Sequence, residues 1–516
     1  MPKLTGAILS GVLTALSMPS FSPVPLGFLA WFWLVPLLFE LKRDPSIKSS
    51  FTQSLVAVSV GFSMSYLWVV NASISGFLLA VVSGIFVWMV PMSAFHLMRR
   101  ICGWDTALVA LPFTWTFWEW FYHSTEISSS VRLGNSQAEM NWLVQFADLF
   151  GVNGVTFWLV TINILIFLLC ERVARSRSET NPDLTLLRVP SLLVAVGFLL
   201  PLGYAVYVFN RVEPPTRELT VLGVQPNISP FVDLTSKQTV AVVNRQIDLT
   251  EMALAANKPE LIIWHEAAFP FSLLQHEKAN KFLTGHVAKW KTPLLTGTFE
   301  TIGEKTFNAA VVLSEDRIEN GRVRIEARHT YAKRRLMPFI ERVPYVETFP
   351  WLSVLAISMG TRPILTPGTE ARTLSFETQD GESVQVGTLI CYESLYPELA
   401  ADLVRNGAAF LVSINNEGWF ANSHGQSQLA TFSRFRSIET RRETVRVGAT
   451  GMTWITDRFG RIKQQLPAWA EQTMFGTVRL STERTLYVEN PDLLPRICGI
   501  AILLLLFVGV GLRVRK

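Results

Sequence analysis

Cysteine and histidine are scarce in this chain, with four and seven among 516 residues. Cys102 and Cys170 lie at or just past the ends of apolar segments and Cys498 lies inside one, so Cys391 is the only thiol of the polar part and no disulfide framework is available to it. The histidines do not cluster and His265-Glu266 is not continued to the HExxH spacing, so no metal centre is expected. A P-loop, a GxGxxG run, internal repeats and low-complexity tracts are also missing, which leaves no nucleotide cradle or repeat architecture. Charge is thin in one region: of 46 Lys+Arg and 41 Asp+Glu, only 21 fall in residues 1–210. The net charge of +5 and pI near 9.0 come from scattered residues and short loops, and nucleic acid is not an expected partner.

Apolar segments fill the charge-poor region: 4–18, 26–41, 55–70, 76–98, 107–121, 144–170 and 189–209, with an eighth at 497–512. Crossing a bilayer takes about 20 residues. Several segments approach that length, while the first and fifth need their flanks. The first resembles a signal peptide in having Lys3 and a short apolar core. No small-x-small cleavage site follows it and another span starts at Leu26, so it is expected to be retained. Basic residues alternate: Lys3, then Lys42, Arg43 and Lys48, then Arg99 and Arg100, then Arg172, Arg175, Arg177 and Arg188, and finally Arg513, Arg515 and Lys516 share one side. The intervening loops 19–25, 71–75 and 122–143 hold only Arg132. This positive-inside pattern places both termini in the cytoplasm and residues 211–494 outside. Pro91 and Pro201 are expected to kink their helices. Glu119, among aromatics near the outer end of the fifth segment, is a functional candidate by its location, and snorkelling or pairing across helices explains it equally well.

Three units follow: a membrane domain at 1–210, an α/β domain at 211–490, and a last span with its tail at 491–516. Strand-like runs recur at 218–225, 261–264, 293–297, 308–313, 384–390, 409–414 and 444–456, with helical material between, as in a layered α/β domain with its own core. Three of these runs end on polar groups. Leu261-Ile262-Ile263-Trp264 stops at His265-Glu266, Val386-Gly387-Thr388-Leu389-Ile390 delivers Cys391-Tyr392-Glu393, and Phe410-Leu411-Val412-Ser413-Ile414 stops at Asn415-Asn416. Strand ends of this kind build sites in α/β proteins. Between the first two lies Tyr331-Ala332-Lys333. A catalytic cysteine needs a base or a positive charge beside it. Glu266 could be that base, and Lys333 could favour the thiolate and stabilise an oxyanion. Taken singly, Cys391 reads as a small buried hydrophobe, Glu266 as a surface carboxylate and Lys333, followed by Arg334 and Arg335, as part of a solvated basic loop.

The ordered set Trp264-His265-Glu266, Lys333 with Pro338-Phe339-Ile340-Glu341-Arg342-Val343-Pro344, and Cys391-Tyr392-Glu393 resembles the Glu-Lys-Cys triad of the nitrilase superfamily. With seven spans before and one after, nearly the whole chain resembles the apolipoprotein N-acyltransferases. That resemblance implies an αββα sandwich, and attachment of the third acyl chain to bacterial lipoproteins at the outer face of the inner membrane. It casts Glu266 as base, Lys333 as oxyanion-stabilising cation and Cys391 as nucleophile, with Glu341 orienting the lysine and Tyr392 and Glu393 flanking the sulfur. Gly134-Asn135-Ser136-Gln137 looks like the family's membrane-side Gly-x-Ser-Gln signature, and Glu119 matches a nearby glutamate. The chain departs from the family in having Trp264-His265-Glu266-Ala267 for Trp-Pro-Glu-Ser and Ile340 for the Gly of Pro-Phe-Gly-Glu. It also has Asn415-Asn416-Glu417-Gly418-Trp419-Phe420-Ala421 for Asn-Asp-x-Trp-Phe-Gly, with Asn415 in a supporting place. Ile340 lacks the backbone freedom of glycine.

The implied reaction is ping-pong: an acyl ester of a phospholipid, phosphatidylethanolamine first among them, acylates Cys391, and the α-amine of a diacylglyceryl-cysteine on an apolipoprotein takes the chain. No cofactor is called for. Phe231 and the Trp419-Phe420 pair are candidate lid or lipid contacts. Two other readings stand beside this one: a membrane-tethered amidase that uses the same triad on a small amide, and a non-catalytic membrane scaffold.

Overall fold

The structure, a computed structural model, describes residues 4–20, 22–44, 46–128, 132–178, 184–211, 217–229, 236–319, 322–323, 329–355 and 365–514. The chain divides into two compact units, Met1–Val212 with Asn490–Lys516, and Glu213–Glu489.

The first unit is helical. Apolar runs that cannot hydrogen-bond their backbone to water close every N–H and C=O within the segment. Among the described residues, Ile74–Cys102, Ala147–Arg177, Arg188–Asn210 and Leu493–Gly511 are long and apolar enough to cross a bilayer, with mean hydropathy of 2.1, 2.1, 2.2 and 2.5. Outward-facing Leu199, Leu200, Val206, Leu503 and Phe507 are each more than half exposed, a surface that suits hydrocarbon and not water. The other segments are less complete. Thr5–Leu16 has 12 residues, about 18 Å at 1.5 Å per residue. Its first turn is capped by Glu40, which accepts from Gly6 N at 2.7 Å and Ala7 N at 3.2 Å. Ile47–Ser65 and Trp104–His123 span 19 and 20 residues with more polar positions.

The segment expected at 26–41 is not one helix. It splits into a 3-10 turn, Gly27–Trp31, and a nine-residue helix, Val35–Arg43. Pro36 in the first turn of the second piece has no N–H to continue a preceding helix and a φ suited to starting a new one.

Tryptophans pack this unit's interior: Trp33, Trp88 and Trp115 lie 5.6 to 5.9 Å apart by ring centroid, with Phe62 4.9 Å from Trp88. Phe62 lies against Gly84, where an added Cβ would come within 1.9 Å of the ring. Gly84→Ala is expected to lower the melting temperature of the purified protein in detergent, through overpacking on the order of 1–3 kcal/mol. An unchanged melting temperature would contradict this close approach.

The second unit holds two facing sheets. The seven-stranded sheet runs in the order Gln472–Arg479, Glu218–Gln225, Leu261–Ile263, Leu294–Ile302, Lys305–Leu313, Thr330–Ala332, with Phe269–Ser272 joined to Leu294–Ile302. The six-stranded sheet runs Ile462–Gln465, Trp454–Thr456, Thr444–Gly448, Phe410–Asn415, Ser383–Ile390, Leu374–Glu377. Each has a parallel centre, Glu218–Gln225 through Leu294–Ile302 in one and Ser383–Ile390 through Thr444–Gly448 in the other. Gly223 of the first sheet would put a Cβ 3.1 Å from Val447 of the second. On the outer face of the first sheet, Val243 and Ile247 of the helix Ser236–Leu254 and Leu283 and Val287 of the helix Glu277–Trp290 share a core with Leu222, Ile262, Trp264 and Val311. The helix Pro397–Arg405 packs on the strand Ser383–Ile390. The order of layers is helix, sheet, sheet, helix.

The run expected at 444–456 folds back on itself as an antiparallel pair, Thr444–Gly448 and Trp454–Thr456. The reversal passes through Gly451 at φ 158° and Met452 at φ 56°, conformations that apolar periodicity does not reveal.

Candidate active site

Parallel strands on the two sheets release their polar ends into one place. Gly297 admits the first of these: a Cβ there would stand 2.6 Å from Ala267 N and 2.8 Å from Glu266 Cα, so only glycine lets the strand Leu294–Ile302 pass beneath Glu266. Lys333 follows the short strand Thr330–Ala332, and its N–H donates to the Asn308 carbonyl at 2.8 Å. The Lys333 ammonium is 2% exposed and donates to Glu266 Oε1 at 3.0 Å and to Glu341 Oε1 at 2.9 Å. It is not part of a solvated loop. Glu341 also accepts from Met337 N through Oε2 at 2.7 Å. Burial acts to strip the lysine's proton, and the charges of Glu266 and Glu341 outweigh it, holding the ammonium form above its ordinary range.

Cys391 ends the strand Ser383–Ile390 and opens the 3-10 turn Cys391–Leu395 at φ 51°, a left-handed conformation that a non-glycine residue holds only under constraint. Glu393 supplies the constraint. Its Oε2 accepts from Ile390 N at 2.9 Å, and its Oε1 accepts from Arg334 N at 2.6 Å and Tyr331 Oη at 2.9 Å. One buried carboxylate therefore ties the cysteine turn to the lysine segment. Burial raises the Glu393 carboxyl above the usual range despite these donors.

The cysteine keeps partial exposure, yet protein atoms crowd its sulfur. Burial first, and then the negative charge of Glu266, push the thiol well above its ordinary range, while Lys333 and the Asn416 N–H pull the other way without prevailing. Lys333 thus favours the thiolate, as expected, against the larger opposing effects of burial and of Glu266. Neighbouring His265 is pulled down to about 4 by burial and adds no positive charge near neutrality.

Other expected residues fall in several places. Tyr392 is buried, its ring 5.3 Å from that of Tyr396. Asn415 is fully buried and turns its amide back on its own strand, donating to Ser413 O at 2.8 Å and Ser413 Oγ at 3.0 Å. Trp419 is half-buried and Phe420 buried in the turn Gly418–Phe420. Phe231 lies outside the described residues. Glu119 and Gln137 belong to the helical unit, both at 0% exposure. Glu119 accepts from Trp115 Nε1 at 3.0 Å, Leu133 N at 2.9 Å and Thr156 Oγ1 at 2.9 Å, and so holds the turn Leu133–Gln137. Gln137 donates to Gly27 O at 2.7 Å and accepts from Trp31 Nε1 at 2.9 Å.

Three participants were not read from the sequence. Asn308 donates to both Glu266 and Glu341; its signal is a polar residue set between Phe307 and the apolar run 309–313. Tyr331 binds Glu393. Glu417, paired with buried Arg446, lies close enough to the cysteine for its charge to be felt there.

Residues 224–487 match the family described as carbon-nitrogen hydrolase, and residues 10–165 match the apolipoprotein N-acyltransferase N-terminal domain. An apolipoprotein N-acyltransferase of Chlorobaculum tepidum is 35% identical over 98% of this chain and 96% of its own length. The chain belongs to the apolipoprotein N-acyltransferase family. A second apolipoprotein N-acyltransferase, from Geobacter metallireducens, is 29% identical over 95% of this chain and 92% of its own. Among solved structures, Saccharomyces cerevisiae Nit3, a member of the nitrilase superfamily, is similar at 17% identity and a TM-score of 0.38 over 55% of this chain and 97% of that one. Membership makes the protein a bacterial membrane acyltransferase with a nitrilase-type unit.

The opposing charges around the sulfur give a test for this member of the apolipoprotein N-acyltransferases. Alkylation of Cys391 by iodoacetamide, followed by peptide mass spectrometry as a function of pH, reports its thiolate fraction. Glu266→Gln removes a negative charge that raises the thiol and is expected to move the midpoint to lower pH. Lys333→Met removes the charge that lowers it and is expected to move the midpoint up, each by about one unit or more. Shifts of the same sign in both variants would contradict the arrangement.

Proposed function

We propose that the protein transfers an acyl chain from a phospholipid, phosphatidylethanolamine in the first instance, to the free α-amine of a diacylglyceryl-cysteine on an apolipoprotein, by way of a thioester on Cys391. The observation that carries this reading is the Lys333 ammonium bonded to both Glu266 and Glu341, with the Cys391 sulfur inside the field of that cluster.

The chemistry follows from the resting charges. A neutral thiol needs a base at the moment of attack, and Glu266 takes its proton as the sulfur adds to the ester carbonyl. The oxyanion that forms faces the Lys333 ammonium, a stabilisation typically worth a few kcal/mol in a buried site. The tetrahedral intermediate collapses with cleavage of the ester C–O bond. Glu266 returns the proton to the departing glycerol oxygen, and lysophospholipid leaves. In the second half the acceptor amine adds to the thioester carbonyl, Glu266 takes the amine's proton, the C–S bond breaks, and the sulfur is reprotonated to the starting thiol. The amide is more stable than the thioester, so the sequence runs forward with no cofactor. Glu341 keeps the ammonium in place, and Glu393 keeps the cysteine turn in register with it.

For the membrane arrangement, the reading is eight crossings, seven before the catalytic unit and one after, with both termini in the cytoplasm and the catalytic unit on the outer face of the inner membrane. The alternation of basic loops with loops holding only Arg132 supports it, and the four long apolar helices would make four of the eight crossings.

Incubation of the purified protein with phospholipid alone, followed by intact mass analysis, is expected to show an acyl-sized increment on Cys391 that hydroxylamine removes. Cys391→Ala and Cys391→Ser should both remain folded and lose transfer entirely. Transfer retained by either variant, or an increment on another residue, would refute the thioester route.

A further inference from the structure

We infer that Asn308 is a positioning residue of the acyl-transfer site, which holds Glu266 and Glu341 side by side around Lys333 so that Glu266 is kept free to act as base. The inference rests on the thioester reading above. Asn308 is 2% exposed and sits in the strand Lys305–Leu313, flanked by Phe307 and Ala309. Its Nδ2 donates one hydrogen to Glu266 Oε1 at 2.9 Å and the other to Glu341 Oε1 at 3.0 Å. Lys333 Nζ donates to the same two oxygens at 3.0 and 2.9 Å. The four groups therefore close a ring in which two donors each bridge the same pair of carboxylate oxygens.

Charge accounting gives the amide its task. Two carboxylates meet one ammonium, so the cluster tends to an excess of one negative charge. A second cation would cancel that tendency but would also compete with Lys333 for the oxyanion. An amide supplies two more N–H donors without adding charge, and hydrogen bonds to the charged form of a carboxylate favour that form. The other charged or titratable groups about Glu266 do not do this. Glu417 is an acid paired with Arg446, burial pulls His265 down to about 4, and burial pushes the Cys391 thiol up.

Two features separate this role from a structural one. The Asn308 carbonyl oxygen of the backbone already accepts from Lys333 N at 2.8 Å, so the strand is anchored without the side chain. Meanwhile the buried side-chain Oδ1 has no partner among the described residues, an arrangement that folding alone disfavours and that follows if both amide hydrogens are committed to the carboxylates.

Single-turnover formation of the Cys391 acyl-enzyme from phospholipid, measured against pH, tests the inference in full-length protein in detergent. Losing two donors makes the carboxylate form less favourable, so in Asn308→Ala the acidic limb is expected to move to higher pH by about one unit, with a rate about tenfold lower on that limb and converging with the wild type above it. The KM for phospholipid should stay within about twofold, because the residue does not touch lipid in this reading. Asn308→Ser keeps one donor and should fall between Ala and the wild type. An unmoved acidic limb in Asn308→Ala, or a loss equal at all pH values, overturns the inference. Should that variant fail to fold, the limb of Asn308→Ser decides on the same terms. Failure of the wild-type protein to acylate at any pH would instead sink the thioester reading on which the inference rests.

Discussion

The buried ammonium of Lys333 is the interaction on which the catalytic unit depends. A charge this far from water is tolerated only when it is paired and hydrogen-bonded, and Glu266, Glu341 and the loops that carry them supply that pairing. The lysine in turn makes two neighbouring carboxylates tolerable. Removing Lys333 leaves two carboxylates without a cation between them, and removing either carboxylate takes a hydrogen-bond partner from the ammonium, so each group's presence depends on the others. Such a cluster is a poor source of stability, since apolar residues of similar volume would serve the fold as well or better. Its value lies in being charged before any substrate arrives, so that little reorganisation is needed when an oxyanion develops.

The same logic explains why the nucleophile rests as a thiol. Burial and the charges of Glu266 and Glu417 weigh against a thiolate there, and Lys333 opposes them. In the proposed reaction the site couples proton transfer to attack, with Glu266 as the receiving group. Geometry enforces the coupling: the left-handed backbone at Cys391 is kept by Glu393, whose two oxygens bind the strand before the cysteine and the segment after the lysine. A high threshold for ionisation also limits unwanted oxidation, because reactivity follows the thiolate.

Much of this arrangement was legible in the chain. Glu266, Lys333 and Cys391 each follow an apolar β-branched or aromatic run, and parallel strands end where sites form. The contrast between a charge-poor start and a charge-rich continuation marked the helical region from composition alone. What escaped the sequence did so for physical reasons. A split such as Gly27–Trp31 and Val35–Arg43 turns on one proline inside an apolar stretch whose hydropathy does not change. The hairpin at 444–456 turns on backbone angles at Gly451 and Met452. The edge strand Gln472–Arg479 joins Glu218–Gln225 across most of the unit, and nothing local announces so distant a partner. Asn308, Tyr331 and the Glu417–Arg446 pair act through hydrogen bonds and charge between segments far apart in sequence, visible only once the sheets face each other.

The central claim is the resting protonation of the site, a thiol at Cys391 beside an ionised Lys333. Infrared difference spectroscopy between the wild-type protein and Cys391→Ser at neutral pH measures it directly, since the other three cysteines cancel. An S–H stretching band assigned to Cys391 in the resting enzyme is the predicted result. Absence of that band at neutral pH would mean that the cysteine is already ionised, and would contradict the account.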